Sequence, residues 1–292
     1  MALSNKLTKE LEKLGLNANN IENLASQTLS EDLGGGVDVT SEATIPEDQD
    51  SIAEFVARKP GVIAGLHMAA AILETAGVKN YEILVPEGAR IETGQMVLLA
   101  SGKTRKLLLA ERSALNFLGM LSGIATLTSS WVAAVSGTNT KIRDTRKTTP
   151  LHRELEKFAV RMGGGENHRL SLSDAALIKD NHVLAAGGVS KAFSAVKEKY
   201  PNIGIEVEVD SLDQLKELID LDVELVLLDN MSKEECREAV AIVNGRFKLE
   251  ASGGLTIENA RAYAETGVDY LAVGALTHSA PVLDIGLDLR ME

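Results

Sequence analysis

The chain has 292 residues, of which 45% are hydrophobic and 25% are charged, and its formal net charge at pH 7 is -12. This composition is that of an ordinary globular protein. Nucleic acid is a poor candidate ligand, because it calls for a basic face, whereas the basic residues of this chain cluster in one segment that indicates a basic pocket. No segment reaches the roughly 18 uninterrupted apolar residues of a membrane-spanning helix, and the N-terminus lacks the apolar core of a signal peptide. A single cysteine, Cys236, cannot form an internal disulfide, so we expect a cytoplasmic protein with a buried, inert thiol and no membrane partner.

The first 140 residues mix helical and strand patterns, which predicts an α+β arrangement. Helices are predicted over residues 21–32, 67–76 and 107–135, and the last is expected to be interrupted near Gly119 and Gly123. A glycine-rich turn follows the first helix. Strands are predicted over residues 51–57, 81–85 and 97–101.

From about Lys141 onward, strand patterns alternate with helical ones, and six successive βα units predict a parallel sheet with right-handed crossovers. The helices between them include residues 211–219, 232–243 and 257–266. Polar residues at the strand ends favour a barrel whose mouth holds the functional site. The predicted strands cover residues 141–146, 176–181, 203–210, 224–230, 247–254 and 269–274.

A basic cluster between Arg143 and Val183 is unusual in so acidic a chain. Local positive charge of this kind focuses the electrostatic field on a small polyanionic ligand. We therefore expect an enzyme that acts on phosphates, carboxylates or both. The cluster comprises Arg143, Arg146, Lys147, His152, Arg153, Arg161, His168, Arg169 and Lys179.

Carboxylates follow two successive strands. Because side chains alternate along a strand, Glu206, Glu208 and Asp210 share one face. In isolation this could be the solvated face of an edge strand. The next strand is apolar until Asp229 at its end, which favours a binding role, since such oxygen ligands suit Mg²⁺ and sugar hydroxyls.

Lys179 lies in an otherwise apolar predicted strand. A buried lysine must be paired or have its pKa lowered, and Glu208 on the neighbouring strand is the natural partner. Two alternatives remain open, a purely structural ion pair inside the barrel and a lysine that forms a Schiff base with a carbonyl substrate.

Two glycine-containing segments end the last two strands, at residues 251–254 and 272–277. Backbone N–H groups and helix N-termini at such positions commonly bind phosphate. The triple glycine at residues 163–165 would bring His168 and Arg169 to the mouth of the barrel. His168 is interpreted as a ligand contact, although a structural histidine is the alternative.

Taken together, the segments DTRKTTP, GGGENHR, LIKDNH, EVEVD, LLDN, ASGG and AVGALTHS closely resemble the quinolinate phosphoribosyltransferase family. The resemblance runs from about residue 20 to the C-terminus. It implies an α/β fold in which an N-terminal α/β sandwich over residues 1–115, joined by residues 276–292, accompanies an open six-stranded parallel α/β barrel over residues 116–275. It also implies decarboxylating transfer of phosphoribose from phosphoribosyl pyrophosphate to quinolinate, with Mg²⁺ required.

The resemblance further implies residue roles. Arg146, His168 and Arg169 would hold the quinolinate carboxylates, while the catalytic residues Lys147 and Lys179 would face the phosphates and the reacting centre. The catalytic residues Glu208 and Asp229 would bind ribose hydroxyls and the metal. Arg112 would enter the neighbouring subunit's site, which implies a homodimer with shared active sites and leaves higher assembly open. The remaining implied substrate-binding residues are Thr145, Ala251, Ser252, Gly253, Ala272, Val273 and Gly274.

Two positions depart from the family pattern, since Leu151 and Ser171 stand where glycine is usual, which puts the local loop geometry in doubt. Three other functions are weighed beside the transferase. They are a related transferase with another acceptor, a Schiff-base lyase that uses Lys179, and a non-catalytic phosphate-binding module.

Overall fold

A computed structural model describes residues 2–291, and the chain forms two compact units. The first unit comprises Met1–Leu127, Glu154–Gly164 and Ser279–Glu292, and the second comprises Thr128–Arg153 and Gly165–His278. The division between Leu127 and Thr128 lies inside one continuous helix, Thr104–Ala134, as does the boundary expected between residues 115 and 116.

The first unit is built on a four-stranded antiparallel sheet in the order β12-β1-β5-β3, with a separate β2-β4 pair. The predicted strands and helices of this half are confirmed, whereas α1, α3, α6, β2, β4 and β12 were not predicted. The elements assigned mainly to this unit are α1 (Asn5–Lys13), α2 (Ala18–Leu33), α3 (Val39–Thr44), β1 (Asp50–Ala57), β2 (Gly61–Val62), α4 (Leu66–Ala76), β3 (Asn80–Ile83), β4 (Arg90–Ile91), β5 (Met96–Lys103), α5 (Thr104–Ala134), α6 (Arg153–Met162) and β12 (Ile285–Met291).

The long helix α5 is uninterrupted over 31 residues, so the breaks expected at Gly119 and Gly123 are wrong. These glycines instead admit the C-terminal segment of the chain. A Cβ atom on Gly123 would lie 2.1 Å from the Pro281 carbonyl oxygen, and the Leu283 N–H donates to the Gly119 carbonyl at 3.0 Å. Gly123 is therefore required for close backbone approach.

Within residues 2–291, α5 alone is long and apolar enough to span a membrane, but 56% of its most apolar window is buried inside the fold. Gly119 and Gly123 of this helix also pack against the C-terminal segment that contains Pro281 and Leu283. These observations identify α5 as a core helix.

The second unit contains a six-stranded parallel sheet in the order β6-β11-β10-β9-β8-β7. All six strands predicted for this half are confirmed, although each is shorter than its prediction. The elements are β6 (Lys141–Arg143), β7 (Ala175–Ile178), α7 (Asp180–Ala186), α8 (Val189–Lys199), β8 (Gly204–Val209), α9 (Leu212–Glu217), β9 (Leu225–Asp229), α10 (Lys233–Val243), β10 (Lys248–Ser252), α11 (Ile257–Ala264), β11 (Tyr270–Ala272) and α12 (Ala275–His278).

This sheet is an open α/β barrel. Its first strand, β6, pairs with its last, β11, and the two edges of the sheet are β6 and β7. The central strands are mostly buried, as expected for parallel strands covered by helices. Cys236 on α10 is fully buried, and burial raises the pKa of its thiol to about 11, in agreement with the expected inert role.

The start of α4 in the first unit depends on a carboxylate from outside the helix. The residue before α4 is Gly65, which has no side chain to cap it. Glu87 substitutes for a cap, since its Oε2 accepts from the Gly65 N–H at 2.8 Å and its Oε1 accepts from the His67 N–H at 3.1 Å. The His67 imidazole Nδ1 lies 2.9 Å from the same Oε1. A negative charge there also complements the helix dipole.

We expect Glu87→Ala to lower the free energy of unfolding by about 2–4 kcal/mol, because it leaves buried N–H groups at the helix start without an acceptor. Chemical denaturation of the purified variant measures the change. Glu82→Ala, at an exposed position of β3, is the matched control and should change stability little. Equal stability of the two variants would contradict the capping role.

Candidate active site

Most of the predicted site residues of the second unit line one cavity of about 330 Å³. The cavity lies at the carboxyl ends of the parallel strands, where the βα loops of an α/β barrel place their functional groups. Its lining residues are Thr145, Arg146, Lys147, His168, Arg169, Leu177, Lys179, Glu208, Leu227, Asp229, Glu250, Ser252 and Ala272.

The strand ends explain this convergence. Asp229 and Ser252 are the last residues of β9 and β10 and are paired in register, and Glu208 lies one residue before the end of β8. The segment that carries His168 reaches the same place because Glu166 forms a parallel bridge with Arg143 on the edge strand β6.

Lys179 forms an ion pair with Glu208, with 2.7 Å between Nζ and Oε2, which confirms the predicted partner. Its expected burial is wrong, because 47% of the side chain is exposed. The physical reason is that β7 ends at Ile178, so Lys179 lies at the N-cap position of α7 outside the apolar interior. The burial that would activate a Schiff-base lysine is therefore absent.

Two guanidinium groups dominate the basic side of the cavity. The Nε atoms of Arg146 and Arg169 are buried and have no hydrogen-bond partner among the described residues. Burial and the neighbouring Arg146 lower the pKa of Arg169. Because two adjacent cations with unused donors are unfavourable without a counter-charge, the arrangement favours an anionic ligand.

Beneath these groups lies a cluster of buried charge that the sequence did not predict in full. The His168 Nε2 is 2.5 Å from Glu206 Oε2 and 3.6 Å from Glu250 Oε1, and Arg143 Nη1 donates to Glu250 Oε2 at 2.6 Å. Glu250 is not among the residues predicted from the sequence, although a carboxylate between the apolar residues of a central strand is a signal that could identify it.

Glu250 is fully buried, and burial followed by the neighbouring Glu206 raises its pKa to about 7, against the opposing effects of Arg143 and His168. The side-chain atoms of His168, Glu206 and Glu250 are close enough together to hold a metal ion. The Arg143 cation, bound to the same carboxylate, already supplies a positive charge there.

The two glycine-containing segments reach the cavity through Ser252 and Ala272, whereas the predicted residues Gly253 and Gly274 are not among its lining residues. A Cβ atom on Gly253, whose φ is +90°, would lie 2.0 Å from Asn230 Oδ1, so only glycine fits there. At Gly274 a Cβ atom would lie 3.0 Å from the Lys147 side chain. The neighbouring residues Ala251 and Val273 are buried and do not line the cavity.

A second cavity of about 400 Å³ adjoins the first and shares Glu208 and Asp229 with it. Asp180 and Asp210 add two further carboxylates to its lining. This set of oxygen donors fits a hard divalent cation such as Mg²⁺.

The remaining sequence predictions concern three separate positions. Arg112 is an exposed residue of α5. Leu151 has a φ of +67°, a conformation that favours glycine, so its departure from the family pattern coincides with a glycine-like backbone. Ser171 is not among the positive-φ residues, and its N–H donates to Asp174 Oδ1 at 3.0 Å.

Comparisons with known proteins agree with this geometry. Residues 38–122 match the N-terminal domain of quinolinate phosphoribosyl transferase and residues 124–288 match its C-terminal domain. A nicotinate-nucleotide pyrophosphorylase [carboxylating] from Mycobacterium leprae is 52% identical over 269 residues, covering 90% of this chain and 95% of the relative. A quinolinate phosphoribosyltransferase [decarboxylating] from Nicotiana tabacum is 40% identical over 284 residues, covering 90% and 80%.

Solved structures show the same fold. NadC from Streptococcus pyogenes superposes with a TM-score of 0.90 at 36% identity, covering 95% of this chain and 99% of that one. The nicotinate-nucleotide pyrophosphorylase from Francisella tularensis gives a TM-score of 0.89 at 37% identity, covering 93% and 96%. The domain matches, the relatives and the shared fold together show that this chain belongs to the quinolinate phosphoribosyltransferase family.

Proposed function

We propose that the protein transfers phosphoribose from phosphoribosyl pyrophosphate to quinolinate with decarboxylation, giving nicotinate mononucleotide, pyrophosphate and CO₂ in NAD biosynthesis. The observation that carries this proposal is one cavity with a guanidinium pair on one side and strand-end carboxylates on the other. A dicarboxylic acid fits the first side and a sugar phosphate fits the second. The names and domains of the relatives support the same reaction.

Arg146 and Arg169 bind the two carboxylates of quinolinate. Their Nε donors are unused by the protein, so an incoming carboxylate satisfies them instead of competing for them. Pairing with guanidinium groups orients the planar acid, since two parallel N–H donors match two carboxylate oxygens. The ring nitrogen is thereby held toward the sugar, which supplies the positioning part of catalysis.

Glu208 and Asp229 bind the ribose. Loss of pyrophosphate builds positive charge on the sugar, and carboxylates at the ends of β8 and β9 stabilise that charge. Lys179 forms an ion pair with Glu208. We infer that Lys179 turns to the phosphates when substrate binds, together with Lys147, whose side chain is exposed at the cavity.

The metal proposed here is Mg²⁺, held by Glu208 and Asp229. When bound, Mg²⁺ neutralises charge on the leaving pyrophosphate. The backbone at Ser252, Gly253 and Gly274 is proposed to hold the 5′-phosphate, since these residues lie at the carboxyl ends of β10 and β11, where backbone N–H groups commonly bind phosphate.

Decarboxylation follows from the product of transfer. Once ribosylated, the pyridine nitrogen is cationic, and the carbon–carbon bond to the adjacent carboxylate can break with its electron pair left on the ring. CO₂ departs and the ring carbon takes up a proton. The protein contributes fixed cations around the second carboxylate and a partly buried cavity.

We also propose that the enzyme is a cytoplasmic homodimer in which Arg112 reaches the site of the neighbouring subunit. The support is the family relationship and the exposure of Arg112 on α5. Whether dimers associate further is left open by these residues.

The direct test incubates the protein with quinolinate, phosphoribosyl pyrophosphate and Mg²⁺. Formation of nicotinate mononucleotide with equimolar CO₂ supports the proposal. The proposal is overturned if the product forms without CO₂, or if a protein verified to be folded forms no product.

We expect Arg146→Ala and Arg169→Ala each to raise the KM for quinolinate by at least about tenfold, because each removes a charge-assisted hydrogen bond to a carboxylate. Steady-state kinetics with quinolinate as the varied substrate measures this. Arg237→Ala, on the exposed face of α10, is the control for loss of a cation and should leave KM unchanged. An unchanged KM in both cavity variants would reject the carboxylate site.

The wild-type enzyme should use quinolinate at least about a hundredfold better than nicotinate, measured as kcat/KM, since nicotinate has one carboxylate fewer and leaves a half-buried guanidinium group unpaired. The same ratio should fall in Arg169→Ala, which removes one such guanidinium group. Comparable use of both acids by the wild type would indicate a different acceptor.

The shared site predicts complementation between two inactive variants. Arg112→Ala and Lys179→Ala should each be nearly inactive but folded and dimeric. After subunit exchange, activity should return to about a quarter of the wild-type value, since about half of the dimers are hybrids and each hybrid has one intact site of two. Asn116→Ala, also exposed on α5, is the matched control and should stay active. Verified exchange without recovery would exclude the cross-subunit role of Arg112.

A further inference from the structure

The imidazole of His168 is held by the protein at both ring nitrogens. The Arg169 backbone N–H donates to Nδ1 at 2.8 Å, and Nε2 lies 2.5 Å from Glu206 Oε2. A backbone N–H can only donate, so Nδ1 carries no proton and the ring proton is on Nε2, directed at Glu206. His168 is therefore already engaged where the resemblance would have it bind a quinolinate carboxylate.

Three strands of the barrel contribute to this support. From β8, Glu206 is 5% exposed, and from β10, Glu250 is fully buried. From β6, Arg143 binds Glu250 and lies 4.5 Å above the ring of Tyr270. Carboxylates this deeply buried are costly unless they are paired, so their retention calls for a specific role or partner.

The backbone of the same segment is fixed as well. Asp144 is fully buried, and its carboxylate accepts from the His168 N–H at 2.8 Å and from Asn167 Nδ2 at 2.6 Å. Asp144 thus fixes the main chain before His168, and the imidazole fixes the main chain after it. The backbone on both sides of His168 is therefore held by buried side chains, by Asp144 before it and by the imidazole after it.

These contacts converge on Arg169. The Arg169 backbone N–H donates to His168 Nδ1, and Arg169 Nη1 donates to the Ala175 carbonyl at 3.0 Å. Its buried Nε remains without a partner among the described residues. The guanidinium group is therefore held through Nη1 and has an unused Nε donor. Because its side chain is already ordered, little conformational entropy is lost when a ligand binds to it.

We propose that Glu206 is a positioning residue for quinolinate, which acts through the His168 imidazole on Arg169, with Glu250 and Arg143 supporting it from below. The inference rests on the proposed function, because it names quinolinate as the ligand of Arg169. It assigns His168 an indirect role, in which the imidazole orients the arginine and does not itself bind the carboxylate.

The first test needs no turnover. Nitrogen-15 NMR of histidine-labelled, ligand-free enzyme near neutral pH, with His168 assigned by its loss in His168→Gln, reports which ring nitrogen carries the proton. We expect protonation at Nε2 only. A proton on Nδ1, in either the other tautomer or the imidazolium, is incompatible with the Arg169 contact and would overturn the proposal even if the enzyme proves active on quinolinate.

The second test separates positioning from a general structural role. Glu206→Ala should raise the KM for quinolinate by at least about tenfold, as the loss of one strong hydrogen bond predicts, while the KM for phosphoribosyl pyrophosphate changes less than about twofold. Glu206→Gln keeps an oxygen that accepts from Nε2–H and should restore most of the quinolinate affinity. Glu198→Ala, at an exposed position of α8, is the control and should behave as wild type.

Two results would contradict the proposal. One is a folded Glu206→Ala enzyme with an unchanged KM for quinolinate. The other is an equal rise in KM for both substrates, with no recovery in Glu206→Gln, which would indicate general damage to the cavity. If Glu206→Ala does not fold, the Glu206→Gln kinetics and the wild-type NMR measurement still decide the question. An enzyme that ignores quinolinate altogether would remove the proposed function but leave the His168 tautomer to be judged by NMR.

Discussion

The site depends on how buried charge is matched inside the barrel. Charged side chains in a low-dielectric interior are tolerated only when counter-charges and hydrogen bonds satisfy them. Here Arg143 from β6 meets Glu250 from β10, at 2.6 Å, and the pair lies next to His168 and Glu206. Glu250 lies only two strands from Arg143 in the sheet order, but β8, which carries Glu206, lies four strands from β6. His168 follows a segment that pairs with β6, so Glu206 can reach it only when the sheet curves into its barrel. The charge cluster therefore depends on the curvature of the sheet.

This arrangement separates the charges that hold the fold from those that meet the ligand. The lower charges pair with one another, as Arg143 does with Glu250, although Glu206 Oε1 and Glu250 Oε1 keep no hydrogen-bond partner among the described residues. Arg146 and Arg169 above them keep Nε donors that the described residues do not use. A chain with a net charge of -12 can in this way present a local positive site without losing its overall acidity. Substrate attraction and solubility are then controlled by different residues.

Much of the second unit could be predicted from its sequence, because alternating apolar strands and capped helices are local signals. The predicted strand ends place Glu208, Asp229 and Ser252 at one mouth of the barrel, and all three line the same cavity. The exposure of Lys179 could not be predicted, since it depends on whether β7 ends one residue earlier or later. Strand ends of that precision are set by tertiary contacts and not by local propensity.

Other features were hidden because they join distant parts of the chain. Glu250 is separated by 107 residues from Arg143, so nothing in its own neighbourhood reveals its partner. Helix propensity alone predicts a break at the glycines of α5, whereas Gly123 lies inside the helix and permits close contact with Pro281. At Glu250 and at Gly123 the residue type is informative, but the contact that explains it involves a residue far away in the sequence.

The position of β12 has a consequence for synthesis of the chain. This last strand pairs with β1 along its full length, from Ser51 opposite Met291 to Ala57 opposite Ile285. Ribosomes make β1 first and β12 last, so one edge of β1 stays unpaired until the whole barrel has emerged. An unpaired strand edge is a site for association with other chains. The β1 edge of the nascent protein thus stays open to such association until the seven residues of β12 are made, and a truncation that removes β12 makes that exposure permanent.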